Sequence, residues 1–348
     1  MTRKPASDLR SGWTTGACAT AATKAALMRL WGGDFPAEVQ ITLPRGQTPV
    51  FALAHKVAGD GWAQAGITKD AGDDPDVTHG ALVMARVARS MGGVVFRAGE
   101  GVGIVTKPGL AIGVGEPAIN PVPRQMMNAV VLEMATQFSQ RPDVEIMISI
   151  PDGAEIALKT WNPRLGIKGG LSILGTTGIV RPYSCSAWIA SIHNGVDVAR
   201  ATGLTHVAGC TGATSERAVQ ALFGLPDHAM LDMGDFAGGM LKYIARHPIA
   251  RVTIGGGIGK LSKLAQGAGD LHSSRSQVDM KALAALVGNP QVANAETALH
   301  AYELAGPELA EAVAASARVA ALRYLKKTDT LVDVVLVDRS GQILARAG

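Results

Sequence analysis

Four aspartates and a histidine crowd into one short stretch, KDAGDDPDVTHG, which spans residues 69 to 80. These five residues are Asp70, Asp73, Asp74, Asp76 and His79. Carboxylates this close together repel, so some need a cation, a hydrogen-bond donor or a raised pKa. The spacing lacks the central glycine and the terminal glutamate of an EF-hand loop. A site for a hard cation such as Mg²⁺ and a solvated turn that caps a helix are both open, and the spacing favours the turn.

A second stretch that could do chemistry, residues 97 to 124, is rich in glycine and carries Glu100, Lys107, Glu116 and Arg124. A segment with so few side chains packs poorly by itself, which suggests that its backbone N–H groups face something. Its GxGxG pattern has no surrounding βαβ unit, so a Rossmann fingerprint is not predicted here. A loop against a ligand and a set of tight hairpins fit equally well.

Two further stretches each run from an apolar strand through glycines into a helix. VTIGGGIGKLSKLAQG, residues 252 to 267, adds Lys260 and Lys263, and AGCTGATSE, residues 208 to 216, adds hydroxyls and Glu216. Such turns place backbone donors at the carboxyl end of parallel strands, where open α/β sheets bind ligands. Leu261 follows Lys260, so the first stretch is not a P-loop. If the two loops lie side by side, they would form a cofactor crevice.

The stretch TTGACATAATKAA begins a helix that we predict over residues 15 to 31, capped by Thr14 or Thr15 and stopped by Gly32. The N-terminus of a helix attracts anions, and the alanines would let another backbone or a flat ligand approach closely. A well-capped packing helix is the other interpretation.

The elements that position these residues change character along the chain. In the first half, alternation predicts strands, with a hairpin at 151 to 153, among helices. The strands are 39–44, 50–57, 144–151 and 154–161, and the helices are 15–31, 77–91 and 123–138. This is an α+β pattern.

In the second half, buried strands alternate with helices, which predicts a mostly parallel sheet covered on both faces. The strands are 205–210, 229–234, 251–257 and 331–338, and the helices are 213–224, 236–247, 259–267, 278–288 and 307–326. We therefore expect an α+β domain over residues 1–180 and a Rossmann-like α/β domain over 181–348, with the boundary near residues 180 to 182.

Composition excludes several classes of protein. The chain has 348 residues, of which 47% are hydrophobic and 18% charged, and it contains no apolar run long enough to span a bilayer. We expect a cytoplasmic protein with no membrane partner. The net charge of +4 comes without a block of like charges and with only 4% aromatic residues, so nucleic acid is a poor partner and an acidic small molecule a better one. The three cysteines are far apart, and neither a disulfide framework nor a thiolate metal site is expected.

Taken together and in order, several long segments resemble the cobalt-precorrin-5B C1-methyltransferase family, CbiD. The segments are LRSGWTTGACATAATKAA, KDAGDDPDVTHGA, GEGVGIVTKPGL, AINPVPR, KTWNPRLGIKGGLSILGTTGIV and GKLSKLAQG with HSS. The resemblance implies transfer of a methyl group from S-adenosyl-L-methionine to C1 of an acidic tetrapyrrole, a ring-contracted corrinoid, with no metal bound by the protein itself. It departs at Gly257 and Ile258, where family members often have His-Pro.

Residue roles follow as expectations from this resemblance. The first domain would bind the corrinoid, and the second would bind the methyl donor through Gly255, Gly257 and Lys260. The corrinoid carboxylates would meet Thr14, Thr15, Gly16, Lys107, Arg124 and Arg164. A base that removes the final proton would be Asp73, Asp74 or His79.

Other functions stay open at this point. A corrinoid-binding or delivery protein without catalysis would keep the fold, and the same methylation could act on a cobalt-free precorrin. A nucleotide-dependent kinase or ligase is disfavoured because no hydroxyl residue follows Lys260. The alanine-rich helix over 307–326 could pack between the subunits of a homo-oligomer as easily as within one chain.

Overall fold

The chain divides into two compact units, Met1–Ser184 and Cys185–Gly348. The structure is a computed structural model and describes residues 9–326 and 328–348. We call the two parts unit 1 and unit 2. The division lies a few residues after the boundary expected at residues 180 to 182.

Unit 1 is built around a five-stranded sheet, with one long helix against the sheet and a second long helix packed on the first. Its helices are α1 (Thr15–Gly32), α2 (Pro121–Gln137) and α3 (Gly153–Ala157). Its strands are β1 (Gly12–Trp13), β2 (Glu38–Gln40), β3 (Val50–Ala52), β4 (His55–Gly59), β5 (Trp62–Thr68), β6 (Leu82–Arg89), β7 (Val94–Ala98), β8 (Ile104–Val105), β9 (Val144–Ser149), β10 (Ile167–Lys168) and β11 (Ile179–Val180). The sheet order is β4-β5-β6-β9-β7, antiparallel except that β7 runs parallel to β9.

Helix α1 is the centre of the unit 1 core. Its alanines at 17, 19, 21, 22, 25 and 26 are fully buried, and the helix packs against β5, β6 and α2. The small side chains let the helix lie close to the sheet. The predicted helix is confirmed, and its alanines face the core rather than a flat ligand.

Two predicted elements of unit 1 are wrong. Residues 82 to 89 form strand β6 and not a helix over 77–91, because Val83, Ala85 and Val87 alternate into the core while β5 and β9 pair with both edges. Residues 153 to 157 form α3 and not a strand. No hairpin forms at 151 to 153, because the chain turns at Asp152, whose backbone is left-handed with φ of 59°, and enters α3 at Gly153.

Unit 2 has a four-stranded sheet with helices on both faces. Its helices are α4 (Cys185–Ala201), α5 (Ala213–Phe223), α6 (Ala237–Ile244), α7 (Ile258–Ala265), α8 (Met280–Val287), α9 (Ala298–Ala305) and α10 (Pro307–Tyr324). Its strands are β12 (His206–Cys210), β13 (Arg251–Gly256), β14 (Leu331–Val337) and β15 (Ile343–Ala347). In the order β12-β13-β14-β15 the first three are parallel and the last is antiparallel.

The unit 2 sheet is buried on both faces, as the mostly apolar sequences of β13 and β14 predict. Val332, Val334 and Leu336 pack with the larger helical layer, whereas Val335 and Val337 pack with α5. The whole chain is therefore a mixed α/β protein with several sheets.

The expected strand over 229–234 is not a member of the unit 2 sheet. A 3₁₀ turn occupies Asp227–Ala229, and the following residues run beside β12 with few bonds. The Leu231 N–H donates to the Ala208 carbonyl at 2.8 Å, and the Gly234 N–H donates to that of Cys210 at 3.0 Å. We call residues 230–234 the edge segment.

Candidate functional site

The acidic loop of unit 1, residues 69–80, joins β5 to β6 and is held by the chain's own N-terminal segment. Both terminal nitrogens of the Arg10 guanidinium bond the Asp70 carboxylate, one of them at 2.9 Å. Arg10 lowers the pKa of Asp70 to about 2. The Asp70 carbonyl accepts from the Trp13 N–H at 2.7 Å, so the loop lies against β1 at the start of α1.

Asp73 and Asp74, two of the candidate bases, each accept a backbone N–H from a distant part of unit 1. Asp73 Oδ2 accepts from Arg10 at 2.9 Å, and Asp74 Oδ1 accepts from Tyr183 at 2.8 Å. Both residues are half-buried. The structure thus brings the two carboxylates together in one loop and orients each with a backbone donor. Their role as bases stays a prediction.

His79, the third candidate, is oriented through its Nδ1 atom. That nitrogen accepts the Ala71 N–H at 3.1 Å, and the side chain is 54% exposed. A neutral ring with Nδ1 as acceptor carries its proton on Nε2. In this arrangement the free N–H group of His79 is a hydrogen-bond donor. The ring could accept a proton at Nδ1 only if the bond from the Ala71 N–H were broken.

A buried ion pair beneath the loop was not predicted. Lys69 Nζ lies 2.5 Å from Asp76 Oδ2, and the side chains are 1% and 25% exposed. Asp76 Oδ1 also accepts from the Thr78 N–H at 2.8 Å and from the Thr78 hydroxyl. Burial alone would raise the pKa of Asp76, but Lys69 and Thr78 outweigh it and lower that pKa. The bonds between Thr78 and Asp76 therefore close the aspartate-rich turn within the loop. The turn was expected to cap a helix, but strand β6 follows it.

The start of α1 is closed by a loop of the same unit. Thr14 Oγ1 caps the helix by accepting the Ala17 N–H at 3.1 Å, and the Gly16 N–H donates to the Leu174 carbonyl at 3.0 Å. Thr15 Oγ1 also bonds both backbone groups of Leu174. These three residues hold the loop, so their predicted contact with a substrate carboxylate would require the loop to move.

The three cationic residues predicted to meet the substrate carboxylates fall into two groups. Arg124 bonds the Ile119 carbonyl at 2.8 Å, the Pro117 carbonyl at 3.1 Å and the Glu116 carboxylate at 2.8 Å, so it positions the glycine-rich segment. Lys107 and Arg164 follow and precede the paired strands β8 and β10, and a Cβ on Gly166 would meet the Lys107 side chain at 2.5 Å. The structure brings Lys107 and Arg164 into neighbouring segments.

In unit 2, the two strand-glycine-helix loops lie side by side. Their strands, β12 and β13, are parallel neighbours, and the Thr211 N–H donates to the Gly255 carbonyl at 2.9 Å. The edge segment lies on the other side of β12 from β13. After β12 the chain passes through α5 to the edge segment on one side of β12, and then through α6 to β13 on the other side. Open α/β sheets bind ligands at the carboxyl ends of the strands where the chain changes direction in this way, which here are the ends of β12 and β13.

The glycines of these loops are present for different reasons. A Cβ on Gly255 would meet Cys210 Sγ at 2.7 Å, and one on Gly256 would meet Thr211 Oγ1 at 2.8 Å, so packing requires both. A Cβ on Gly212 would meet nothing within 4 Å, and one on Gly257 only the Val337 carbonyl at 3.8 Å. Both residues have backbone angles open to any residue type. Close approach of a ligand would explain these two.

Lys260 does not project from its loop. Its Nζ pairs with Asp235 Oδ1 at 2.5 Å and donates to the Leu271 carbonyl at 3.1 Å. Lys263 Nζ donates to the same carbonyl at 3.0 Å, and burial together with Lys260 lowers its pKa. The two lysines tie the start of α7 to the loop at 270–272, and contact of Lys260 with the methyl donor stays a prediction.

A pocket of about 180 Å³ opens beside these loops at the end of β12. It is lined by Trp188, Cys210, Gly212, Ala213, Glu216, Asp232 and Gly234. The sequence predicted the part at 208–216 but not Trp188 or Asp232. The only available signal for Asp232 was the acidic, glycine-containing turn that ends an apolar run.

The described residues hold neither a metal-binding cluster nor a membrane-spanning helix. No group of three or more histidines, cysteines or carboxylates is arranged to hold a metal ion within residues 9–326 and 328–348. Across the same residues, no helix is both long and apolar enough to cross a bilayer.

Comparison with known proteins gives full-length similarities. The sequence profile of CbiD matches residues 2–182, and the one described as CbiD, C-terminal domain, matches residues 270–348. A protein of Paramagnetospirillum magneticum named cobalt-precorrin-5B C(1)-methyltransferase is 59% identical over 97% of this chain and 98% of its own. One of the same name from Brucella anthropi is 58% identical over 97% and 96%. The crystal structure of cobalamin biosynthesis protein CbiD from Archaeoglobus fulgidus aligns with a TM-score of 0.42, at 25% identity over 82% of both chains.

Proposed function

Because the chain belongs to the CbiD family, we propose that it transfers a methyl group from S-adenosyl-L-methionine to C1 of cobalt-precorrin-5B in cobalamin biosynthesis. The observation that carries this proposal is the 59% identity, over 97% of the chain, to a protein named for that reaction. Because the alignment covers nearly all of both proteins, it supports the whole activity for this chain and not only the function of one domain.

The chemistry asks little of the protein beyond alignment. An electron-rich ring carbon attacks the sulfonium methyl in line, the carbon–sulfur bond breaks, and sulfur keeps the electron pair as S-adenosylhomocysteine leaves. A proton then departs from the macrocycle. Holding the two reactants in line removes much of the barrier without a covalent nucleophile.

We propose that unit 2 binds the methyl donor at the carboxyl ends of β12 and β13, in a Rossmann-like manner. Gly212 and Gly257, which neither packing nor backbone angle requires, support close approach of a ligand there. Lys260 would position the donor indirectly, since it holds α7 to Asp235 and the 270–272 loop. The donor's chemistry, a flat base with a charged methionine end, fits glycine-lined backbone and helix N-termini.

We propose that unit 1 binds the tetrapyrrole, with Lys107 and Arg164 meeting its carboxylates. Lys107→Met should raise the KM for the corrinoid, whereas the matched change at an exposed lysine of β4, Lys56→Met, should leave it unchanged. An equal KM in the two variants would remove Lys107 from the site.

We propose Asp73, Asp74 or His79 as the group that receives the proton. Asp73→Asn keeps the size of the side chain and its bond from the Arg10 N–H, so it tests the charge alone. The control is Asp60→Asn in the exposed turn between β4 and β5. Unchanged kcat in Asp73→Asn would exclude that residue.

The proposed function is tested with donor labelled at its methyl group. Purified protein, cobalt-precorrin-5B and the labelled donor should give a corrinoid heavier by one labelled methyl, detected by mass spectrometry and absent without protein. If the corrinoid binds and gains no label, the chain acts in binding or delivery. Label on the cobalt-free precorrin alone would reassign the substrate. A cytoplasmic location and self-association stay predictions.

A further inference from the structure

We infer that the pocket at the end of β12 takes the cationic methionine end of the methyl donor and thereby distinguishes the donor from the product left after transfer. This inference rests on the proposed function. The two differ in charge at sulfur: S-adenosyl-L-methionine carries a sulfonium, and S-adenosylhomocysteine carries a neutral thioether.

The chemistry of the lining favours a cation. Glu216 and Asp232 contribute two carboxylates and Trp188 an aromatic ring, and the described lining residues include no lysine or arginine. A cation is attracted both by carboxylates and by the face of an indole ring. Loss of one positive charge from the ligand therefore weakens its binding in this pocket.

The size of the pocket restricts which end of the donor it holds. Complete small-molecule sites occupy about 300–1,000 Å³, whereas this pocket measures about 180 Å³. It admits one end of the donor, and the rest must lie outside it. Gly212, at the pocket wall, adjoins Thr211, which bonds the Gly255 carbonyl, so the remainder can extend along the carboxyl edge of the sheet toward Gly257.

The wall formed by Trp188 is fixed by an unusual backbone. The indole Nε1–H donates to the Asp232 carbonyl at 2.7 Å, and Asp232 itself is left-handed, with φ of 46°. Gly234 has φ of 55°, and a Cβ there would lie 3.2 Å from Trp188 Cζ2. A non-glycine residue in this region costs free energy that the surroundings must offset, and such residues cluster at ligand sites.

The start of α5 is suited to the negatively charged carboxylate of the methionine group. Helix α5 begins at Ala213 on the pocket wall and runs for 11 residues, so its first N–H groups lie where a carboxylate would be stabilised. Glu216 belongs to the first turns of the same helix. A ligand end that carries a carboxylate beside two cationic centres suits this lining better than a neutral base does.

The test compares the affinities of donor and product in the full chain by calorimetry. We expect the wild-type chain to bind S-adenosyl-L-methionine more tightly than S-adenosylhomocysteine, and Glu216→Gln to weaken donor binding about tenfold while changing product binding less. Asp232→Asn should act in the same direction, and asparagine tolerates the left-handed backbone. The control Glu303→Gln removes an exposed carboxylate of α9 and should change neither affinity.

Fluorescence supplies a second readout, because Trp188 is the sole tryptophan of residues 185–348. Donor binding should change the emission, and Trp188→Phe should abolish that change while binding persists by calorimetry. Equal weakening of donor and product in Glu216→Gln, or an unchanged fluorescence response in Trp188→Phe, would overturn the inference. Neither result would affect the proposed function, which fails only if the wild-type chain transfers no label to cobalt-precorrin-5B.

Discussion

The ion pair beneath the acidic loop gives the sharpest test of how unit 1 holds its candidate catalytic residues. Lys69→Met removes the ammonium and keeps most of the apolar stem, while Asp76 remains a quarter exposed with its two bonds from Thr78. Asp76→Asn does the reverse, and leaves the ammonium of a side chain that is 1% exposed without its carboxylate. The second change should be the more damaging.

The magnitudes follow from burial. Removing one partner of a buried pair costs about 3–5 kcal/mol of the free energy of unfolding. Because Thr78 and water still serve Asp76, we expect Lys69→Met near the lower end, at about 3 kcal/mol, and Asp76→Asn near the upper end. The double variant leaves no unpaired buried charge, so it should be more stable than Asp76→Asn alone, and the two costs should not add.

The pH dependence gives the same test a sign. Lys69 and Thr78 lower the pKa of Asp76, so the stabilisation is present above the unfolded pKa and is lost as pH falls through the folded one. In Lys69→Met, the largest of the effects that lower this pKa is lost while burial and the Thr78 bonds remain, so the Asp76 pKa rises relative to the wild-type chain. The cost of the substitution should therefore be largest at neutral pH and shrink as the pH falls through the Asp76 pKa of the variant.

The assay is urea unfolding followed by tryptophan fluorescence. Four of the five tryptophans lie in unit 1, so a Trp188→Phe background confines the signal to that unit. Single-variant costs below about 1 kcal/mol that simply add in the double variant would refute the argument. So would a Lys69→Met cost that grows as pH falls.

Three further changes test the structure elsewhere. Gly212→Ala should leave the free energy of unfolding nearly unchanged and raise the KM for the methyl donor, whereas Gly255→Ala, whose Cβ would clash at 2.7 Å, should destabilise by about 1–3 kcal/mol in chemical denaturation. Asp333→Asn, at a side chain 4% exposed and paired with two arginines that are 34% and 45% exposed, should cost about 1.5–3 kcal/mol at neutral pH, because it leaves no unpaired charge buried. Burial raises the Asp333 pKa, but the two arginines outweigh burial and the net pKa is lowered. The stabilisation by the ionised carboxylate is therefore lost as the pH falls, so the cost of the substitution should shrink below about pH 4 when unfolding is followed across pH. In the native chain iodoacetamide should label exposed Cys185 before Cys18, whose pKa burial raises to about 12, as peptide mass mapping would detect.

The parts of the fold that could be predicted from sequence are those with strong local signals. Helix α1 has a capping threonine, an alanine-rich interior and a glycine stop, and it forms as predicted. Strands β12, β13 and β14 are short, mostly apolar segments that are buried over most of their length. In these stretches local preference and tertiary packing agree.

The failures lie where pairing partners decide the structure. Residues 82 to 89 contain leucine, methionine, alanine and arginine, which favour a helix, and only Val83 and Val87 favour a strand. Pairing with β5 on one edge and β9 on the other outweighs that preference. Neither partner is visible from the local pattern, because β9 lies more than fifty residues away.

The same limit applies to the candidate site. The sequence identified the acidic loop, but Arg10 and Tyr183, which orient its carboxylates, lie 60 and 109 residues from their partners. No local spacing connects them. Trp188 was likewise missed, because its link to the pocket is a bond to a backbone carbonyl of Asp232 and needs no particular side chain there.

Glycine shows why a motif alone underdetermines a site. In the sequence, the three glycines at 255–257 form one signal, yet Gly255 and Gly256 are required by contacts inside the sheet and Gly257 is not. Where packing requires a glycine, its change to alanine should lower the free energy of unfolding. Where only a ligand requires it, the same change should weaken ligand binding and leave the free energy of unfolding unchanged. Gly212 belongs to the second class together with Gly257, although 45 residues separate them in the chain. If alanine at both of these positions weakens donor binding and spares stability, the donor contacts the ends of two adjacent strands, and a donor held at two points is better aligned for in-line methyl transfer.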